Sequence, residues 1–231
     1  MINNWLKKRK SRRLYFNGTT QSLHEEYAKA IKTLSEAIDL DSSHLDSYHN
    51  RGLAYFGNGN MLEAIKDFTY VIKECKEHEM AYYNRCITYF AIGEFDLALL
   101  DANKSIEIDP KNCSSYTYRS YIYLRKQENQ LAIADASRVI DLGCRKDGFN
   151  NRALIYQEIG DFSAAILDWT KYMKLVPKDS NALCSRGLCY EKNEDIALAI
   201  ADLKKGMKNK SQLRAVLRAE AEETLIRLEN K

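Results

Sequence analysis

The chain has few of the residues that make tight turns. Its 231 residues include 10 glycines and 2 prolines, together about 5% where roughly 12% is usual. A β-sandwich or barrel needs a turn about every 8–12 residues, so this scarcity argues against that class. With 45% hydrophobic residues the chain can still bury a sizeable core, which excludes wholesale disorder. Long helices with short connections are predicted.

Long apolar runs and paired cysteines are also lacking. No stretch approaches the roughly 18 consecutive apolar residues of a membrane span, and the first 30 residues have no apolar signal-peptide core. The six cysteines form no Cys-x-x-Cys pair. We therefore expect free thiols, a reducing compartment and a cytoplasmic location.

The sequence has no pattern typical of catalysis. It contains no glycine-rich phosphate loop, no nucleophile elbow and no paired-carboxylate site. Cys75 and His78 have half the spacing of a zinc site, but no second pair lies nearby. We expect no enzyme activity, no cofactor, no metal and no small-molecule substrate.

Positive charge is concentrated at the start of the chain. The net charge is +3, but the first acidic residue, Glu25, follows a cluster made of Lys7, Lys8, Arg9, Lys10, Arg12 and Arg13. Trp5, Leu6, Tyr15 and Phe16 lie among or beside these charges. A solvated basic terminus is the favoured interpretation, and contact with nucleic acid or an anionic membrane is the alternative.

Two residue types recur with a period of 33 or 34. Alanine stands at 30, 64, 98, 132, 165 and 199, and tyrosine at 55, 89, 123, 156 and 190. Pro110 and Pro177 each follow one of these alanines by twelve residues. A fixed period of this length indicates a stack of identical supersecondary units.

The clearest copy reads Tyr82-Tyr83-Asn84-Arg85-Cys86-Ile87-Thr88-Tyr89-Phe90-Ala91-Ile92-Gly93-Glu94-Phe95, followed by Ala98 and Asp109-Pro110. In period and pattern it resembles the tetratricopeptide repeat (TPR) family. The resemblance covers about 190 residues and implies an all-α TPR solenoid, a right-handed superhelix of antiparallel helix hairpins with a concave groove. In this family the groove usually binds a protein or peptide.

The phase of the repeat predicts the domain boundaries. Five full repeats are expected at 45–78, 79–112, 113–145, 146–179 and 180–210, after an incomplete repeat at 23–44. Residues 1–22 are predicted to be a basic lead-in with an irregular helix over about Asn4–Phe16. Asn17-Gly18-Thr19-Thr20 is interpreted as a helix stop, and Ser22 to Glu25 as a capping box. A C-terminal capping helix is expected over 211–231, with Leu213, Val216, Leu217, Leu225 and Leu228 on its apolar side.

An arginine and an aspartate sixteen residues later recur in all five full copies. The pairs are Arg51–Asp67, Arg85–Asp101, Arg119–Asp135, Arg152–Asp168 and Arg186–Asp202. The two positions face each other across the turn of a hairpin, so bidentate pairing is available. A structural ladder is favoured over a row of anion-binding arginines.

The resemblance also implies a binding groove on the first helix of each copy. Its positions hold His49, Leu53, Phe56, Tyr83, Ile87, Phe90, Thr117, Tyr121, Leu124, Asn150 and Leu154, with Met80, Cys184, Leu188 and Glu191 in the same series. Asn50, Asn84 and Asn151 resemble the asparagine ladder by which some TPR proteins hold a peptide backbone, and Tyr118 and Ser185 break that series. The alternative is that these apolar residues are already buried.

We therefore predict a non-catalytic scaffold that binds a peptide segment through apolar anchors. The Lys and Asn clamp of chaperone-tail-binding TPR proteins is absent at the matching positions, which argues against that class of partner. The alternative function is an adaptor that the basic terminus directs to nucleic acid or membrane.

Overall fold

The computed structural model describes residues 2–229, apart from the side chains of residues 2–4, 210 and 212. These residues form thirteen α-helices and no strand. The helices are α1 (Ile2–Leu23), α2 (Tyr27–Leu40), α3 (Leu45–Gly57), α4 (Met61–Glu74), α5 (Glu79–Ala91), α6 (Phe95–Ile108), α7 (Cys113–Arg125), α8 (Asn129–Asp141), α9 (Arg145–Glu158), α10 (Phe162–Leu175), α11 (Ser180–Lys192), α12 (Ile196–Gly206) and α13 (Ala215–Glu229), with a 3-10 helix at Met207–Gln212.

The predicted period is confirmed by the helix boundaries. The first helix of each full copy (hereafter the A helix) begins within one residue of its predicted start, at 45, 79, 113, 145 and 180. Pro110 and Pro177 each follow the end of the second helix (the B helix) by two residues, as expected of a residue that cannot continue a helix. The all-α repeat architecture is therefore correct.

One backbone feature recurs in every A-to-B turn. Glu25, Gly59, Gly93, Gln127, Gly160 and Glu194 have φ between 60° and 83°, and they are spaced by 33 or 34 residues. Glycine adopts this left-handed conformation without cost, whereas Glu25, Gln127 and Glu194 are strained there. The shape of the turn is thus set by the repeat and imposed on residues that do not favour it.

The chain divides into two compact units, Met1–Ile122 and Tyr123–Lys231. In the first, three hairpins pair α1 with α2, α3 with α4 and α5 with α6, and successive hairpins pack through α2 on α3 and α4 on α5. Its core includes a cluster around Ala30, Leu34 and Ala54 and another around Cys86, Ala98, Ala102 and Ile122. Each hairpin thus buries, against the next hairpin, an apolar side that it would otherwise expose.

The second unit contains the hairpins α9–α10 and α11–α12, with α8 packed on α9 and α13 packed on both α11 and α12. One core cluster surrounds Trp169 and Tyr172 of α10. Of the apolar side predicted for the final helix, Leu213, Leu217, Leu225 and Leu228 join the core. Val216 is 82% exposed, so its assignment to that side was wrong.

The start of the chain differs most from the sequence prediction. α1 continues unbroken through Asn17-Gly18-Thr19-Thr20, so these residues are no helix stop, and an irregular helix ending at Phe16 was wrong. The Thr19 and Thr20 hydroxyls donate to the carbonyls of Tyr15 and Phe16, four residues back. The capping box at Ser22 to Glu25 was also wrong, because Glu25 occupies the turn and α2 begins at Tyr27.

Close approach of two helices explains the glycine inside α1. A Cβ atom at Gly18 would lie 2.6 Å from Leu34 Cγ, and one at Gly52 would lie 2.7 Å from a ring carbon of Phe68. Gly187 faces Leu203 in the same way. Each of these glycines therefore accommodates a large side chain sixteen positions later.

Two further expectations concern cysteines and membranes. Cys75, Cys86, Cys184 and Cys189 are free thiols, but Cys113 and Cys144 are not, which corrects the prediction that all six are free. The predicted cytoplasmic location stays a prediction. Over the part of the chain that is described, no helix is both long enough and apolar enough to span a bilayer.

Candidate peptide-binding site

The recurring arginine of the A helix forms an ion pair with the recurring aspartate of the B helix. In the third copy both oxygens of Asp101 accept hydrogen bonds from Arg85, at 2.7 Å from Nε and 2.8 Å from Nη2. Three more predicted pairs have the same bidentate geometry: Arg51–Asp67, Arg152–Asp168 and Arg186–Asp202. The structural interpretation is confirmed for these four. Arg119 and Asp135 belong to different units, and their pairing stays a prediction.

The same arginines make contacts that the sequence analysis missed. The Nη1 atom of Arg85 donates to Thr69 on the preceding B helix at 2.8 Å. Equivalent bonds join Arg51 to Ser35, Arg119 to Asn103, Arg152 to Ser137 and Arg186 to Thr170. A polar residue 15 or 16 positions before each arginine was the available signal.

The recurring tyrosine has a role in the same arrangement. Tyr89 lies four residues after Arg85, and the guanidinium carbon is 5.8 Å from the centre of its ring. Tyr55, Tyr156 and Tyr190 stand in the same relation to their arginines. Cation–π contact adds to the ion pair, so the donors and the charge of these arginines are used inside the protein rather than offered to an anion.

In the first unit, the predicted groove residues occupy one series of A-helix positions. Leu53 and Phe56 on α3, Tyr83, Ile87 and Phe90 on α5, and Thr117 and Tyr121 on α7 are all half-buried. We call these seven residues, together with Tyr118, the A-helix face. Met80 is 45% exposed. Partial exposure leaves apolar area that a partner can still cover.

An aromatic cluster forms the densest part of the A-helix face. The Tyr118 ring lies 5.6 Å from that of Tyr83, 6.4 Å from that of Phe90 and 6.1 Å from that of Tyr121, each in an edge-to-face arrangement. Sequence reasoning noted Tyr118 only as an interruption of the asparagine series. Tyr118 was nevertheless the available signal, because it places a large aromatic ring at the position where other copies have asparagine.

The cluster carries no charge at neutral pH. Burial, with a smaller contribution from Tyr118, raises the pKa of the Tyr83 hydroxyl to about 12. Burial also raises the pKa of Tyr118. Both phenols therefore stay protonated, and the surface offers aromatic area and neutral hydrogen-bonding groups.

The predicted asparagines bond within the protein. Asn50 Nδ2 donates to the Thr19 hydroxyl on α1 at 2.9 Å. Asn84 is buried and its Nδ2 lies 3.2 Å from Nε2 of His49 on α3. These two amides link successive A helices, and Asn151 on α9 is almost fully buried.

His49, another predicted groove residue, is also buried. It is 9% exposed, its ring lies 5.1 Å from that of His78, and its Nδ1 atom has no partner among the described residues. Burial, helped by the nearby His78, lowers the pKa of His49 to about 4. His49 is therefore a neutral buried residue rather than part of an open wall.

In the second unit the same repeat positions range from half-buried to fully enclosed. Leu124, Asn150 and Leu154 are half-buried; Leu124 packs beside Ala132, Ala136 and Ile155, and Leu154 packs in the Trp169 cluster. Cys184 and Leu188 on α11 are core residues. Their assignment to an open groove was wrong, because α13 packs against α11.

α13 also binds α11 through charge. Arg227 Nη2 lies 3.1 Å from Glu191 Oε1, so the third predicted groove position of α11 is occupied as well. Ala221 on α13 lies 34 residues after Gly187 and is fully buried. This last helix thus continues the repeat and takes the place of a further A helix.

Family profiles match three segments of the chain. Residues 24–59 match a "TPR repeat", and residues 45–78 and 80–112 each match a "Tetratricopeptide repeat". The chain is a tetratricopeptide repeat protein. Repeats of this kind generally serve as scaffolds for protein–protein interaction. No curated protein matches the sequence.

Solved structures share the TPR fold at low sequence identity. A TPR protein from Parabacteroides merdae is 17% identical, with a TM-score of 0.76 over 94% of this chain and 87% of that one. The Cut9–Hcn1 hetero-tetramer of APC/C contains a chain 16% identical, with a TM-score of 0.75 over 95% of this chain but 43% of that one. MamA from Desulfovibrio magneticus RS-1 is 20% identical, with a TM-score of 0.64 over 72% of this chain and 96% of that one.

Proposed function

We propose that this TPR protein is a non-catalytic scaffold whose first unit binds a peptide segment on the A-helix face. The observation that carries the proposal is the half-buried cluster of Tyr83, Phe90, Tyr118 and Tyr121. Aromatic residues dominate binding hot spots, because they bury much area at small entropic cost. The ligand is an extended or helical peptide with two or three large apolar anchors.

Charge supports an apolar ligand over an acidic one. The recurring arginines are neutralised by aspartates, and the phenols of the cluster stay neutral. No cation on the A-helix face is therefore available to hold a carboxylate tail. Affinity comes from buried apolar area and from hydrogen bonds with the tyrosine hydroxyls.

The asparagines contribute less than a peptide-gripping ladder would. The amides of Asn50 and Asn84 already bond to Thr19 and His49. A peptide backbone would have to replace those bonds, which brings little net gain. Binding is concentrated in the aromatic cluster, and Asn150, Asn151 and Leu154 of the second unit tolerate substitution with little loss of affinity.

A peptide array followed by titration calorimetry tests the proposal. The array identifies the peptides that bind, and the strongest are titrated into wild type, Tyr83→Ala and Phe90→Ala. Each substitution should weaken binding by more than about 1 kcal/mol. Leu167→Ala is the matched control, since Leu167 is 63% exposed on α10 of the other unit.

Two outcomes would refute the proposal. One is an array in which acidic peptides bind best and apolar anchors are dispensable. The other is a Phe90→Ala protein that loses stability in urea denaturation but keeps full affinity, because Phe90 also packs against Phe95 and the Cys86 cluster. In that case the aromatic cluster is core, and the partner binds elsewhere.

A further inference from the structure

The basic cluster is a rigid part of the fold. Lys7, Lys8, Arg9 and Lys10 lie in a nine-residue extension of α1, which has 22 residues where the other A helices have 13 or 14. The helix is anchored behind them by the Ser11 hydroxyl, which donates to the Ala37 carbonyl at 2.8 Å and is buried. The charges are therefore held in a fixed array rather than on a loose tail.

These six charges outnumber the carboxylates near them: Asp41 lines a cleft with Lys8, Arg9 and Arg12, and Glu36 and Asp39 line one with Lys10. Lys7, Lys8, Arg9, Lys10, Arg12 and Arg13 are all exposed, and none forms a salt bridge with any other residue that the structure describes. Lys8 and Arg12, like Arg9 and Arg13, are four residues apart and repel each other on the helix surface. An anionic surface would remove this repulsion.

Apolar side chains share the exposed side of the same helix. Trp5 is 59% exposed, Phe16 65% and Leu23 79%, and Trp5, Arg9, Arg12, Phe16 and Leu23 follow one helical stripe by their spacing. Leu6 is 49% exposed beside them. The Arg9 guanidinium carbon lies 5.4 Å from the Trp5 ring centre, so cationic and apolar groups interleave.

A cleft of about 430 Å³ lies beside this stripe. It is lined by Trp5, Lys8, Arg9, Arg12, Asp41 and His44. Three cations converge there against one carboxylate, an arrangement suited to a phosphate group. The ring of Trp5 forms part of the same wall.

We propose that this side of α1 docks the protein peripherally on a bilayer that contains anionic phospholipid. Phosphate groups pair with the lysines and arginines, which is the attraction that basic clusters feel toward such membranes. Trp5, Leu6, Phe16 and Leu23 enter the interface between headgroups and acyl chains. Nucleic acid would also attract the charges, but Leu6 and Leu23 would gain nothing from a phosphate backbone.

Vesicle co-sedimentation tests this proposal. Wild type should bind vesicles with about 30% phosphatidylserine in phosphatidylcholine, and not pure phosphatidylcholine. Changing Lys8, Arg9, Arg12 and Arg13 to glutamine should reduce partitioning at least about a hundredfold. The matched control changes Arg145, Lys146, Lys178 and Lys208, which are exposed in the second unit, and should reduce partitioning far less.

A second variant tests the apolar contribution. Trp5→Ala with Leu6→Ala should weaken binding about tenfold or more, whereas Leu167→Ala with Leu198→Ala, both exposed in the second unit, should not. Circular dichroism confirms that all four variants remain helical. The proposal is overturned if anionic vesicles are not bound, if the control charges matter equally, or if a labelled single-stranded oligonucleotide binds the same residues more tightly than the vesicles do. Peptide binding by the A-helix face would be untouched by any of these results.

Discussion

α5 and α11 are the same helix of the repeat in two different surroundings. Tyr83 and Ile87 on α5 stand at the positions that Cys184 and Leu188 occupy on α11. The α5 residues are half-buried, whereas those of α11 lie in a core closed by α13. Repeat position alone therefore does not define a binding surface. What matters is whether another helix covers it.

The contacts of the recurring arginine should be equivalent on α5 and α11. Arg85 of α5 and Arg186 of α11 make the same bidentate bond to an aspartate and the same third bond to the preceding B helix. Arg85→Ala and Arg186→Ala should each cost about 4 kcal/mol of unfolding free energy, since a buried aspartate is left unpaired. Urea denaturation measures both.

The double variant Arg85→Leu with Asp101→Leu is the control for that prediction. It removes both charges at once and should recover much of the loss. Equal stability of wild type and Arg85→Ala would show that the pair contributes little. A loss of stability in Arg186→Ala but not in Arg85→Ala would show that the arginine contributes differently to the two hairpins.

The ninth residue of a repeat copy is a core residue on α11 and a half-buried surface residue on α5. Leu188→Ala should destabilise the protein by about 3 kcal/mol, because it leaves a cavity under α13. Ile87→Ala on α5 should cost about 1 kcal/mol, because Ile87 is only half-buried. Thermal and urea unfolding of the two variants side by side provide the measurement, and equal losses would remove the distinction between α5 and α11.

His49, the fifth residue of the copy that begins at Leu45, makes the stability depend on pH. Burial lowers its pKa to about 4. The unfolded chain therefore takes up a proton at higher pH than the folded one, so the stability contributed by neutral His49 is fully present above about pH 6.5 and is lost as the pH falls toward about 4. The loss should be about 2 kcal/mol across this window.

His49→Gln is the variant that isolates this effect. Its side chain can still bond to Asn84 but does not titrate, so its stability should fall less over the same pH range. Denaturation midpoints at several pH values make the comparison. A pH profile identical to that of wild type would show that other groups cause the dependence.

The smallest predicted effect concerns the turns. Glu194 has a φ of 65°, where Gly160 has 82° at the same position of the preceding copy. Glu194→Gly should stabilise the protein by about 0.5–1 kcal/mol, because glycine relieves the left-handed strain. Gly160→Ala should destabilise it by a similar amount. If urea denaturation showed that neither substitution changes the stability, the explanation by left-handed strain would be wrong.

How far the sequence predicts the structure depends on where the partners of a residue lie. The Arg85–Asp101 pair was predictable, because both residues belong to one copy at a constant spacing. Tyr118 and the burial of Leu188 were not, because their surroundings come from neighbouring helices whose side chains differ between copies. α1 was misjudged for a related reason. Gly18 was interpreted as a local helix stop, although it serves the contact with Leu34.

Titration calorimetry with Tyr118→Ala tests the central claim most directly. Tyr118 contacts Tyr83, Phe90 and Tyr121 at once, and no other copy has a tyrosine at its position. The account predicts that the peptide selected on the array binds Tyr118→Ala at least about tenfold more weakly than wild type, while Leu167→Ala binds normally. Undiminished affinity of a folded Tyr118→Ala protein would contradict it.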